Sequence, residues 1–238
     1  MKQATDIEID CFKKNFCKNE SNRISIIKHY DVTIEAFEEL LPGKHISSYA
    51  TGNRDIEGAF VMFRVVDVQN ETEFYPVFSE TVARKMINSW GMSMPNKRSI
   101  FSEINNGTSK GQICYNSGTQ RVDGDNVKLR HLILLVRSLM ILHIELPNPM
   151  NGPLKEIYEK LDEHPEKNIK DSYVKSVNTI LKKALENGFN SNNENFKDLN
   201  DYIEYLKSCC TNKRLKKCDF ESLRKIMRKS YPNDDVYF

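Results

Sequence analysis

Residues 127–146, VKLRHLILLVRSLMILHIEL, form the one run in this chain that has to be buried on nearly every side. At about 20 residues it is too long for a strand and suited to a long helix. At about 100° per residue, Arg130, His131, Arg137, Ser138 and Glu145 fall within roughly a third of the circumference. Leu134 and Ile141 interrupt even that stripe, and Lys128 and His143 are the remaining polar exceptions. A helix this apolar either spans a membrane or forms the centre of a globular core. Arg137 sits mid-run, where a charge costs about 3 kcal/mol on insertion scales, with Arg130 and Glu145 also inside. The expectation is therefore a core helix and no transmembrane segment. Asp125 or Asn126 is placed to cap its start, and Pro147 to end it.

The chain before this helix is mixed in character. Ile7, Ile9, Phe12 and Phe16 suggest a short helix or a terminal arm. Thr33 is placed to cap a helix over 33–41, with Ile34, Phe37, Leu40 and Leu41 as its buried face and Pro42-Gly43 as its stop. The stretch 59–68, AFVMFRVVDV, is rich in β-branched and aromatic residues and reads as a strand. A turn over 69–72 and a return strand over 73–78 complete a β-hairpin, whose second strand Pro76 demotes to an edge. Ser79 then caps a helix over 80–90 with Val82, Met86 and Trp90 on one face. Residues 91–126 hold five glycines and many Asn and Ser, and read as a long loop with a short strand at 113–115.

Beyond the helix the chain carries no strand signal. Pro153 suits a first helical position before Leu154, Ile157, Tyr158 and Leu161. Helical spacing returns over 167–187, where Gly188 suits the C-terminal stop, and again from Phe196 to Leu206. A last helix over 220–230 is capped by Asp219 and closed by Pro232. The fold class expected is α+β and mainly helical: a mixed part over 1–126 with the hairpin, and a helical part over 127–238, sharing one core through the central helix.

The formal net charge is +2 over 238 residues, which by itself demands no polyanionic partner. The distribution says more. Between positions 207 and 229, nine basic residues (Lys207, Lys213, Arg214, Lys216, Lys217, Arg224, Lys225, Arg228 and Lys229) face only Asp219 and Glu221, a local charge of +7. Such a cluster neutralises phosphates and releases counterions, or else is a solvated helix surface. Lys213, Arg214, Lys216 and Lys217 fall on a connection between helices. Arg224 and Arg228 share a helix face, with Lys225 beside them. Tyr202, Tyr205, Phe220 and Tyr231 lie close enough in sequence to stack on bases, though such aromatics more often pack in a core. A second basic set, Lys97, Arg98, Lys110 and Arg121, lies among glycines and small polar residues that can wrap phosphates. It is not a P-loop, because the glycine spacing is wrong and no GK[ST] motif is present.

No catalytic residue, cofactor or metal site is expected. Cys209-Cys210 and Cys218 lack chelating spacing, and His131 and His143 stand about 120° apart on the wheel. Residues 1–10, MKQATDIEID, lack the apolar run of a signal peptide, so the six cysteines are expected to be reduced thiols in a cytoplasmic or nuclear protein that is not secreted. The apolar end of PNDDVYF wastes burial unless it docks on its own domain or on a neighbouring subunit, which suggests self-association through terminal arms. The leading expectation is a non-enzymatic nucleic-acid-binding protein, with single-stranded RNA favoured. The abundance of Asn, Lys and Ile, as AT-rich genomes encode, together with the arms suggests a viral nucleocapsid-type subunit. The alternative is a matrix or host-factor-binding assembly protein with no nucleic-acid role.

Overall fold

The computed structural model describes residues 2–41, 43–50, 55–102, 124–140, 152–186, 196–210, 213–217 and 219–238. They divide into two compact units, one formed by residues up to Ser99 and the other from Ile100 onward. The sequence places its change of character at 126. Among the described residues helix accounts for 51% and strand for 19%, so the fold is α+β and mainly helical.

The first unit opens with β1 (Lys2–Gln3) and α1 (Asp6–Phe16). Thr5 Oγ1 accepts from the Glu8 amide while the Glu8 carboxylate accepts from the Thr5 amide at 2.7 Å, a reciprocal cap. Phe12 is buried from this helix, with its ring 4.6 Å from Phe74 and 5.5 Å from Tyr30. The start of the chain is thus a docked helix. Asn19 caps α2 (Glu20–Ile24), and a 3-10 turn over Ser25–Lys28 comes next.

The expected helix over 33–41 is instead β2 (Asp31–Glu39), antiparallel to β5 (Ala59–Asp67). The reason is a bulge. Ile34 pairs with Phe63 and Ala36 with Met62, so Glu35 is an extra residue and the pleat reverses there. Val32, Ile34 and Phe37 therefore share one face at spacings of two and three, which imitates helical periodicity. They pack in the cluster around Phe12, Phe63 and Phe78, while Ala36 joins Phe60 and Met62 on the other side.

Between these strands, β3 (His45–Ser47) pairs with β4 (Asp55–Glu57). After β5 the chain turns, with Asp67 Oδ1 accepting from the Gln69 and Asn70 amides, and returns as β6 (Thr72–Phe74) and β7 (Val77–Ser79). The expected hairpin is present, and Pro76 splits its second strand into β6, which β1 covers, and β7, which among the described strands pairs with β5 alone and is the expected edge. Both β6 and β7 pair with β5, and β1 covers the far side of β6 in the order β1-β6-β5-β2. Proline has no N–H to give, so the ladder breaks locally, and its carbonyl still accepts from the Phe63 amide at 3.0 Å. In α3 (Glu80–Ser89), Met86 is buried, and just past its end Trp90 Nε1 donates to the Ile24 carbonyl at 2.8 Å. The expected Ser79 side-chain cap is not formed.

The second unit comprises β8 (Phe101–Ser102), α4 (Gly124–Met140), α5 (Pro153–Glu163), α6 (Asp171–Glu186), α7 (Leu199–Cys209), β9 (Arg214–Leu215) and α8 (Glu221–Ser230). The central helix is α4, and Leu129, Leu132, Ile133 and Val136 on it are fully buried. It starts earlier than expected, so Asp125 and Asn126 lie inside its first turn instead of capping it. Asp125 accepts from Ser222 of α8, and Asn126 Nδ2 donates to the Leu161 and His164 carbonyls at the end of α5. The polar stripe is covered as well. Arg130 pairs with Asp162 and lies over Tyr158, His131 stacks on Phe220, and Ser138 shares a 2.8 Å hydrogen bond with Tyr202. His143, Glu145 and Pro147 lie outside the described residues. Among the described residues no helix is long and apolar enough to cross a membrane.

The neighbouring helices match the sequence closely. Pro153 opens α5, and Asp198 caps α7 through the Asn200 and Asp201 amides. Asp219 accepts from the Glu221 amide at the start of α8. α6 begins at Asp171, four residues later than the spacing from Lys167 suggests. One expectation fails: β9 is a strand beyond 150, pairing antiparallel with β8. Two paired residues are too few to leave an alternating pattern in the sequence. The predicted strand at 113–115 and the connector at 190–195 lie outside the described residues.

Leu135 and Leu139 are each 3% exposed on α4. Changing either to Asp leaves an unpaired buried charge costing about 3–5 kcal/mol. The expected outcome is loss of the cooperative melting transition by circular dichroism; a near-normal melting temperature would disprove the central-core role of this helix.

Candidate nucleic-acid interface

The sequence-derived basic residues fall in both units. Lys97 and Arg98 close the first. Arg98 bridges Glu38 in parallel and its amide donates to the Phe37 carbonyl at 2.8 Å, which extends the sheet past β2. Lys97 Nζ is then 3.9 Å from Glu39, and the Arg98 guanidinium 4.0 Å from Glu38. Both cations face carboxylates of β2. Lys110 and Arg121 lie outside the described residues.

The second unit brings Lys213, Arg214, Lys216 and Lys217 together on the extended segment around β9. Leu215 pairs with Phe101 and Arg214 with Ser102, and the Lys216 amide donates to the Ile100 carbonyl at 2.9 Å. An extended chain rises about 3.3 Å per residue and alternates sides, so Arg214 and Lys216 project from one side about 7 Å apart. Arg214, Lys216 and Lys217 are exposed, and Leu215 between them is half-buried. Lys213 Nζ sits 5.0 Å from the centre of the Phe101 ring, a cation–π contact.

α8 divides its cations differently from the helical wheel. Arg224 is half-buried: its Nε donates to the Phe238 carbonyl at 2.6 Å and its guanidinium lies 3.5 Å from Glu221. Arg228 is exposed, 3.3 Å from the same Glu221. Lys225 and Lys229 are both exposed. Lys229 belongs with the candidate set, since the i, i+4 relation that joins Arg224 to Arg228 equally joins Lys225 to Lys229. The only two acids of the basic stretch are committed locally, Asp219 to the helix start and Glu221 to the two arginines.

The neighbouring aromatics serve the core. Tyr202 and Phe220 are buried, Tyr205 stacks on Tyr202, and Tyr231 lies under Lys175 at 4.4 Å. His131 is buried beneath this surface. Burial, reinforced by the charge of Lys216, pushes its imidazole down to about 4. Among the described residues no three His, Cys, Asp or Glu side chains come together as a metal site. Cys209 is exposed and Cys210 buried, so the adjacent thiols do not share an environment. Compared with known proteins, the chain matches no family, and no curated protein or solved structure shows significant similarity to it.

His131 makes stability depend on pH. Its folded-state value lies below the ordinary 6.5, so the unfolded chain takes up the proton first. Stability is complete above pH 6.5 and declines as pH falls towards 4, by about 3 kcal/mol in all at about 1.4 kcal/mol per unit. Denaturant midpoints across this window should drop for the wild type and fall less for His131→Gln. Lys216→Ala should raise the His131 titration midpoint measured by NMR. The thiols should divide equally clearly. Burial pushes Cys17 up to about 12, whereas Cys11 and Cys209 are exposed. Cys11 and Cys209 should react rapidly with a thiol reagent and Cys17 only on unfolding; equal rates in the native state would contradict the burial.

Proposed function

We propose that this chain is a non-enzymatic nucleic-acid-binding protein that takes single-stranded RNA on its second unit, in the cytoplasm or nucleus. The observation that supports this reading is the +7 stretch, whose two acids are both engaged within it and whose exposed cations stand on two supports. Arg214, Lys216 and Lys217 stand on the β9 segment, and Lys225 and Lys229 on α8. Long cations on an extended segment reach backbone phosphates without disturbing the core, and contacts of that kind carry affinity rather than sequence preference. Arg224 belongs to the architecture in this reading, since its guanidinium is held by Phe238 and Glu221. A nucleocapsid-type role adds one requirement, cooperative binding along the strand.

Changing Lys213, Arg214, Lys216 and Lys217 together to Ala should weaken binding to all single-stranded sequences alike. It should also flatten the slope of log K against log salt by roughly one unit per lost contact. The fold should survive, since exposed charges contribute within about 0.5 kcal/mol each. Fluorescence anisotropy with a labelled oligonucleotide over a salt series reads affinity and slope, and circular dichroism reads the fold. A folded quadruple variant with wild-type affinity and slope would remove this surface from the site and favour a protein partner instead.

A further inference from the structure

Residues 234–238 lie in a seat built by three helices of the second unit, and the seat reads them mainly through their backbone. Asn178 of α6 is 4% exposed, yet its carboxamide makes two bonds to this segment. Nδ2 donates to the Asp235 carbonyl at 2.8 Å, and Oδ1 accepts from the Tyr237 amide at 3.0 Å. The first amide of α7, Leu199, donates to the Tyr237 carbonyl at 2.9 Å, and Arg224 of α8 donates to the Phe238 carbonyl. The side chains add specificity. Phe238 is buried edge-on against Phe220, Lys175 pairs with Asp234 at 3.0 Å, and Lys182 lies over the Tyr237 ring.

We propose that this seat is also an exchange site, receiving residues 234–238 of a second copy of the chain in place of its own. Three features carry the inference. These receptor groups stand on α6, α7 or α8 or beside them and none on the link to the segment, so each contact can be remade in trans. The link is short and exposed at Pro232 and Asn233, and a backbone bond from the Asp234 amide to the Tyr231 carbonyl closes its turn. Exchange therefore gives up that bond and restores the seat's contacts. Lastly, an emptied seat gives up the two Asn178 bonds together with those of the Leu199 amide and Arg224, which favours refilling over remaining open. The segment's own link gives it a millimolar-range effective concentration, so the closed monomer dominates until closure in cis is blocked.

The experiment uses two full-length variants, coexpressed. One, Asn178→Leu with Arg224→Ala, keeps the segment but spoils the seat. The other, Tyr237→Ala with Phe238→Asp, keeps the seat but spoils the segment. The expected result is a one-to-one heterodimer by light scattering and native mass spectrometry, dispersed by a synthetic DDVYF peptide. Adding Asn178→Leu to the seat-bearing partner should weaken the pair roughly twenty-five-fold, two hydrogen bonds at about fivefold each. If either variant folds only in the presence of the other, complementation is shown; if the coexpressed chains stay apart or both remain unfolded, the proposal fails. A third variant lacks Pro232 and Asn233, which shortens the link by about 7 Å and prevents closure in cis while keeping seat and segment intact. It should be a dimer, and a folded monomer would overturn exchange.

Discussion

A helix buried along most of its surface leaves little water for its polar atoms, and the second unit is arranged around supplying substitutes. The polar residues on α4 are met from three neighbouring helices. Asn126 donates to the end of α5, Arg130 pairs with Asp162 of the same helix, Asp125 meets Ser222 of α8, and Ser138 meets Tyr202 of α7. These contacts fix where α5, α7 and α8 can stand, because a shifted helix would strand a buried donor or acceptor. One atom stays unmatched: Asn126 Oδ1 is buried without a hydrogen-bond partner, at a cost of about 1–3 kcal/mol. The apolar faces provide the bulk of the cohesion, and the polar pairs select one arrangement among those the apolar faces would tolerate.

The same demand for partners sorts the cations of the surface. A count of Lys and Arg treats all nine in the basic stretch alike, but the fold commits some of them. Arg224 is turned to a backbone carbonyl, Arg228 shares Glu221 with it, Lys207 lies 2.5 Å from Glu204, and Lys213 rests on an aromatic ring. The proposed phosphate contacts are chosen for exposure, on the β9 segment and on the Lys225–Lys229 edge of α8. Buried or paired cations and exposed cations are interleaved residue by residue.

Where the sequence was legible, one strong local signal dominated. The helices α5 to α8 carry their buried residues at helical spacing, while the central helix was marked by its length and all-round apolarity and β5 by its β-branched and aromatic content. Spacing failed where tertiary structure interferes with the period. The extra residue at Glu35 turns a strand into an apparent helix, and β9 is too short to have a period at all. The candidate site was legible as a concentration of charge, because charge survives in a linear string. Its internal pairing was not, since the partners of Arg224 lie at Glu221 and Phe238, and nothing in the spacing marks which direction that side chain takes. Asn178 is the clearest such case: one polar residue on a helical face reads as surface, yet it is the centre of a backbone clamp.

The bulge at Glu35 has a bearing on alignment. A strand of plain alternation can slide by two residues along its neighbour and still keep its apolar side inward. β2 cannot. Its apolar side changes hands at one point, with Ile34 opposite Phe63 and Ala36 opposite Met62. Any slip would carry that crossing point away from the place where the two clusters on either side of the sheet meet. Val32, Ile34 and Phe37 would no longer all reach one cluster while Ala36 reached the other. The irregularity acts as an index mark: it denies the longest pair of strands in the sheet every register but one.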